Sequence, residues 1–147
     1  MGYYYQTCNF EGISSNPMLE PSKEGITMIE GLKIIQKDAY IRFDFTGDFS
    51  EATGKQCIDA MVEASSQLKH SRALLDCREM TGEIQIIESF MVAQYGVKMI
   101  GVLSKTALVG REDQMFPDNF VENVAVNRGV NLKLFTDVEE AIDWLKE

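Results

Sequence analysis

Hydrophobic and polar positions alternate most clearly over Tyr40–Thr46. Ile41, Phe43 and Phe45 fall on one side, and Tyr40, Arg42, Asp44 and Thr46 on the other. A period of two predicts a strand with one buried and one polar face. Segments 26–30 and 32–37 also read as extended, and a turn at Lys37-Asp38 joins them to that strand as an antiparallel hairpin. Gly47 then breaks the pattern, and Asp48 or Ser50 caps a helix over residues 50–68. Its apolar stripe is Ile58, Met61, Val62, Ser65 and Leu68, recurring at three and four.

The rest of the chain alternates short apolar runs with helical spacing. Residues 72–77 form a run suited to a central strand. Ile84, Ile87, Phe90, Met91 and Tyr95 mark a second helix ending near 96–100. Residues 105–110 make another buried strand. Pro117-Asp118 opens a third helix carrying Phe120, Val121, Val124 and Ala125, which Gly129 ends. Val130, Leu132 and Leu134 alternate with polar or outward positions in a further strand. Thr136-x-x-Glu139 reads as a capping box for a last helix with inner face Val138, Ala141, Ile142 and Leu145. The order β-β-α-β-α-β-α-β-α predicts an α/β fold with a mostly parallel five-stranded sheet and an N-terminal antiparallel hairpin. Helices are expected mainly on one side of the sheet. Residues 1–25, with Tyr3, Tyr4, Tyr5 and Phe10 and then a proline-bearing loop, read as an N-terminal arm preceding a domain over 26–147.

Composition narrows the classes. The 147 residues are one domain's worth of chain, 45% hydrophobic and 25% charged, as in an ordinary globular domain. Fourteen basic against 23 acidic residues leave a net charge of −9. That balance argues against non-specific nucleic-acid binding and against docking to anionic membranes, which need clustered Lys and Arg. No run approaches the ~20 apolar residues of a membrane helix. The first residues lack the basic and apolar regions of a secretory signal. Cys8, Cys57 and Cys77 are an odd number at unrelated spacings, which suits a reducing cytoplasm better than a disulfide framework.

Candidate chemistry is sparse. His70, the single histidine, precedes a strand at the end opposite the expected site and has no partners for a zinc site or triad. No glycine-rich phosphate cradle occurs, and no cofactor is expected. Ligands of open α/β sheets bind at the carboxyl ends of the parallel strands. That edge carries Asp76-Cys77-Arg78-Glu79 and Gly110-Arg111-Glu112-Asp113. Arg78 and Arg111, from neighbouring strands, are placed to converge on one anion. The alternative is internal: Asp76 accepts backbone N–H groups of the next loop, and Arg78 pairs with Glu79, Glu112 or Asp113. Arg78 would lower the thiol pKa of Cys77, unless that cysteine is simply a small buried residue. Met80, Met91, Met99 and Met115 cluster around the second helix. They serve either as core filler or as the lining of a pocket between the second and third helices.

Three stretches together carry a resemblance: RALLDCRE with its following helix, KTALVG, and the ending GVNLKLFTDVEEAIDWLKE. The chain resembles the SpoIIAA-like family, related to STAS and Sec14 domains, over roughly residues 26–147. The resemblance implies strands in nearly sequential order, a bacterial cytoplasmic setting, and binding rather than catalysis. Anti-anti-sigma members carry a phosphorylatable serine in a D-S-S-G-like context at the start of the helix after the third strand. Here Met80-Thr81-Gly82-Glu83 stands instead, with Thr81 as the nearest substitute. Sec14-like relatives hold an apolar ligand between sheet and helices. The expectation is therefore a non-enzymatic binding domain engaging a partner protein or small anion through Asp76, Arg78, Glu79, Thr81 and Arg111, with a homodimer plausible. The alternative is a carrier of an apolar molecule, and a weaker one is a small enzyme using Asp76 or Cys77.

Overall fold

The computed structural model describes residues 29–147. The expected arm over 1–25, and the first part of the expected strand 26–30, lie outside these residues. The described end of that segment is a turn. Gly31 has φ +88°, and a Cβ on it would collide with the Thr46 carbonyl, so the close approach requires glycine.

Five strands form one sheet: β1 (Leu32–Gln36), β2 (Ile41–Phe45), β4 (Arg72–Asp76), β6 (Lys105–Val109) and β7 (Leu132–Phe135). They lie in the order β1-β2-β4-β6-β7. β1 and β2 are antiparallel and every other pair is parallel, with Asp44 opposite Asp76 and Asp76 opposite Val109. The expected hairpin, strand order and mostly parallel sheet are all present. A second, two-stranded parallel sheet, β3 (Gly47–Asp48) with β5 (Met80–Thr81), was not expected. It splices the chain leaving β2 to the chain leaving β4, directly at the carboxyl edge.

Helix α1 (Glu51–Leu68) starts where the pattern put it. Ser50 is the cap, accepting from the Thr53 N–H while Thr53 Oγ1 accepts from the Ser50 N–H. Its buried side includes Ile58, Met61, Ser65 and Leu68. Helix α3 (Phe120–Val126) begins later than expected. Pro117–Asn119 form a separate 3-10 turn, and Asp118 and Asn119 both adopt left-handed φ before the helix starts. Helix α4 (Val138–Lys146) is capped by Asp137, not Thr136. The Asp137 carboxylate accepts the N–H groups of Glu139 and Glu140. A carboxylate at this position also meets the positive end of the helix dipole, which a hydroxyl does not.

The two faces of the sheet are covered unequally. Ile34, Phe43, Ala73 and Leu132 belong to the core beneath α1, α2 (Ile86–Tyr95) and α3. The helices are not all there: α4 packs on the other face, where Ala141 and Leu145 meet Leu74, Ala107, Val109 and Phe135.

Helix α2 departs most from expectation. Its buried residues are Ser89 and Ala93, whereas Ile86, Ile87 and Met91 are exposed. The expected stripe is splayed around the axis. Phe90 turns sideways to Phe120 of α3, and Tyr95 turns the other way to Asp59 of α1. On the α1 side, a Cβ at Gly54 would lie 2.6 Å from Val92 Cγ2, so α1 and α2 meet more closely than any larger residue permits.

The cap assignment of α4 is directly testable. Asp137→Ala should lower unfolding free energy by about 1 kcal/mol. Thr136→Ala should stay within about 0.5 kcal/mol, as an exposed substitution with no such role. Urea titration of both variants reads the difference, and the reverse ranking would restore the Thr136 cap.

Candidate functional site

The carboxyl edge of β4 is organised around one carboxylate. Asp76 ends a buried strand, and its side chain is 9% exposed. It accepts four hydrogen bonds. Arg42 Nη2 and Arg78 Nη2 both donate to Oδ2 at 2.8 Å. Arg78 Nε donates to Oδ1 at 3.0 Å, and the Arg78 backbone N–H donates to the same oxygen at 3.1 Å. Arg42 also donates from Nε to Asp44 at 2.8 Å. Burial alone would raise the Asp76 carboxyl. The Arg78 hydrogen bonds and the charges of Arg78 and Arg42 outweigh it and hold the group below the usual carboxylate range.

In this geometry the charged residues of the edge pair with one another. Arg78 is folded back on Asp76 and not on Glu79, Glu112 or Asp113. Arg111 binds Asp113 through Nε at 3.0 Å and donates from Nη1 to the carbonyl of Arg78. The two guanidinium groups thus contact the end of β4 and the loop that follows it. Glu79 is exposed, and its charge lies near both Arg78 and Arg111. Thr81 is exposed on β5, where its hydroxyl donates to Asp48. It stands ahead of Gln85, the N-cap of α2, and so is not at the helix start. A phosphate on Thr81 would meet the Asp48 carboxylate rather than helix N–H groups. Arg42 is the member that the sequence reading missed. Its signal was its place on the polar side of β2, in register with Leu74 and two residues from Asp44.

Cys77 does not have the lowered thiol pKa that a neighbouring arginine suggested. Burial, then the nearby Cys57, Asp76 and Asp44, push it well above its ordinary value. Cys57 is likewise pushed up to about 12 by burial. Both thiols are neutral at physiological pH, which makes them poor nucleophiles.

Behind this edge lies a cavity of about 140 Å³ between the sheet and helices α1, α2 and α3. The sheet floor includes Leu75, Leu108 and Leu134, and the α2 wall is Ser89, Val92 and Ala93, continued by Gly96 just past the helix end. Met61, Met80, Met99 and Met115 line it, so three of the four methionines picked out by the pattern reach the pocket, while Met91 faces outward. Gln114 closes one end. Its amide donates to the Cys77 carbonyl at 2.9 Å and accepts from the Arg111 N–H. Among the described residues, no Asp, Glu, Lys, Arg or His lines it.

Among the described residues, no group of three or more His, Cys, Asp or Glu is placed to hold a metal ion, and no helix is long and apolar enough to cross a membrane.

Asp76 sets an acid-sensitive prediction. A depressed folded-state pKa contributes stability that is full above the unfolded value of about 3.9 and is lost as pH falls through the folded value. Asp76→Asn should cost about 2 kcal/mol at pH 7 and should flatten the loss of stability below about pH 4. Urea unfolding across pH 2.5–7 (roughly the range in which a carboxylate titrates) tests this. Parallel curves for the two proteins would show that Asp76 is not the titrating support.

No protein-family model matches the chain, and no curated protein matches it. Among solved structures it is similar to an uncharacterized protein of the DUF3478 family with a SpoIIAA-like fold from Shewanella loihica PV-4. The two share 22% identity over 91% of this chain and 99% of that one, with a TM-score of 0.50. Strand order, the antiparallel first pair and the helix placement agree with that likeness, and the chain has a SpoIIAA-like fold.

Proposed function

We propose that the protein is a non-enzymatic binding protein that holds a small apolar molecule in the cavity between the sheet and helices α1–α3. The observation that carries this reading is the cavity itself, about 140 Å³ and walled mainly by aliphatic, aromatic and methionine side chains, with no charged residue among the described ones. Native interiors pack closely, so an apolar hollow of this size beneath the helices offers an apolar molecule room that the chain's own side chains do not fill. Methionine suits such a wall, because its flexible thioether repacks around different occupants. A protein cavity of about 150 Å³ accepts benzene, which sets the scale of the ligand.

The charged edge supports a framing role. Asp76, Arg78 and Arg111 are consumed in holding the loop that closes the cavity, and this leaves them little to offer an external anion. The neutral state of Cys77 and the locked carboxylate of Asp76 favour binding over catalysis.

A second reading, engagement of a protein partner or a second copy at the carboxyl edge, draws on the exposure of Ile86 and Ile87. They stand at 51% and 59% at the start of α2, a few residues after Glu79 and Thr81 in the chain. Sedimentation equilibrium reads the self-association version. A native dimer that Ile87→Glu converts to monomer supports it, and a native monomer at ~100 µM, a concentration far above any stable dimer's Kd, speaks against it.

The cavity reading is tested by titrating toluene into the labelled full chain and following amide shifts. Toluene should perturb the residues of α2 and the sheet floor. Ala93→Leu, which fills the volume from the α2 side, should abolish those shifts while keeping or raising the melting temperature. No binding to the native chain, or equal binding to the filled variant, would contradict the proposal.

A further inference from the structure

We infer that the molecule bound in the cavity carries one uncharged hydrogen-bonding group, a hydroxyl or a carbonyl, seated against the Ser89 hydroxyl. This rests on the cavity reading above and specifies its ligand class. Ser89 is 6% exposed and lies on the same side of α2 as Ala93 and Gly96, the side that lines the cavity. Its backbone N–H is used within the helix, bonded to the Gln85 carbonyl at 3.0 Å. Its hydroxyl makes no hydrogen bond to a described residue, and it is not among the fully buried unsatisfied atoms, which are Gln36 Oε1 and Ser65 Oγ, so it stays accessible from the pocket it lines.

The other polar groups on the wall are committed. Thr53 completes the α1 capping box. The Gln114 amide is bonded at both its oxygen and its nitrogen. The Thr106 hydroxyl faces the Met99 sulfur at 3.9 Å. Ser89 is therefore the polar side chain left to orient an occupant.

An occupant that cuts this hydroxyl off from water must offer it a partner, and a serine hydroxyl both donates and accepts. It can therefore serve a ligand hydroxyl or a ligand carbonyl equally. It cannot neutralise a charge. With no cation among the described wall residues, a carboxylate drawn inside loses its hydration without gaining a counter-ion from them. The neutral thiols of Cys57 and Cys77 add apolar, polarisable surface and no charge. The ligand class is thus a neutral, largely apolar molecule of roughly single-ring size with one hydrogen-bonding group.

Phenol, toluene and benzoate share a ring and differ in that group, so they separate the alternatives. Each is titrated by amide chemical shift into the native full chain and into Ser89→Ala. Alanine is a strong helix former, so α2 persists in the variant. The expected result is that Ser89→Ala weakens phenol about 3- to 10-fold and leaves toluene within about twofold. Benzoate should fail to bind at concentrations that saturate phenol. Equal effects of the substitution on phenol and toluene would overturn the Ser89 assignment while the cavity reading stands. Benzoate binding as tightly as phenol would overturn the neutral ligand class. If none of the three titrates into the native chain, the cavity reading falls and the Ser89 assignment falls with it.

Discussion

The structure depends on helix α2 turning its small residues toward the sheet. Ser89, Ala93 and Gly96 lie under the helix, and their side chains are too short to fill the space above Leu75, Leu108 and Leu134. The bulk goes elsewhere. Phe90 wedges against Phe120 of α3, with the Arg128 guanidinium over its ring at 5.5 Å. Tyr95 reaches Asp59 of α1, with Lys98 over its ring at 4.8 Å. Ile87 and Met91 are left outside. A helix held at its flanks spans the space below it rather than collapsing into it. Close packing of Gly54 against Val92 fixes the α1 side of that span.

The second requirement is a closed end. A parallel sheet leaves its carboxyl edge open, and here that edge is stitched by charge and backbone together. Asp76 draws in Arg42 from β2 and Arg78 from its own loop, and the short β3–β5 sheet ties the two exits from the large sheet. Arg111 holds the Arg78 carbonyl, and Gln114 holds that of Cys77. The guanidinium and carboxylate groups of Arg42, Asp44, Asp76 and Arg78 balance in charge, so this cluster braces the edge. The bonds to Asp76 are charge-assisted and bidentate, the strongest kind available to such a loop.

Much of the architecture was legible in the residue pattern, and the exceptions have physical causes. β2 was readable because one of its faces is buried, so Ile41, Phe43 and Phe45 alternate with polar neighbours. The cap at Ser50 and the strands at 72–76 and 105–109 were readable for similarly local reasons. α2 was misread because periodicity assumes that large apolar residues face the core, and this helix buries its small ones. The last cap was misread because Thr136 and Asp137 are both good cap residues, and only the backbone trace decides between them. Asp76, Arg78 and Arg111 lie close together at the carboxyl edge, but their mutual pairing depends on register. Register also brings in Arg42 from more than thirty positions away. The pocket announced itself only through the methionines. Ser89 gave no signal, since a lone serine in a helix is ordinary until its surroundings are seen.

The central claim is that the volume beneath α2 is a real, apolar and accessible binding space. A crystal structure of the full chain under xenon pressure tests it most directly. Xenon is apolar and electron-dense, and it enters dry cavities large enough to hold it. The account predicts a strong peak enclosed by Ser89, Ala93, Met99 and Leu108, with α2 in place. A structure in which Phe116, Met115 or the side chains of α2 have closed that volume, with no xenon inside it, would contradict the account.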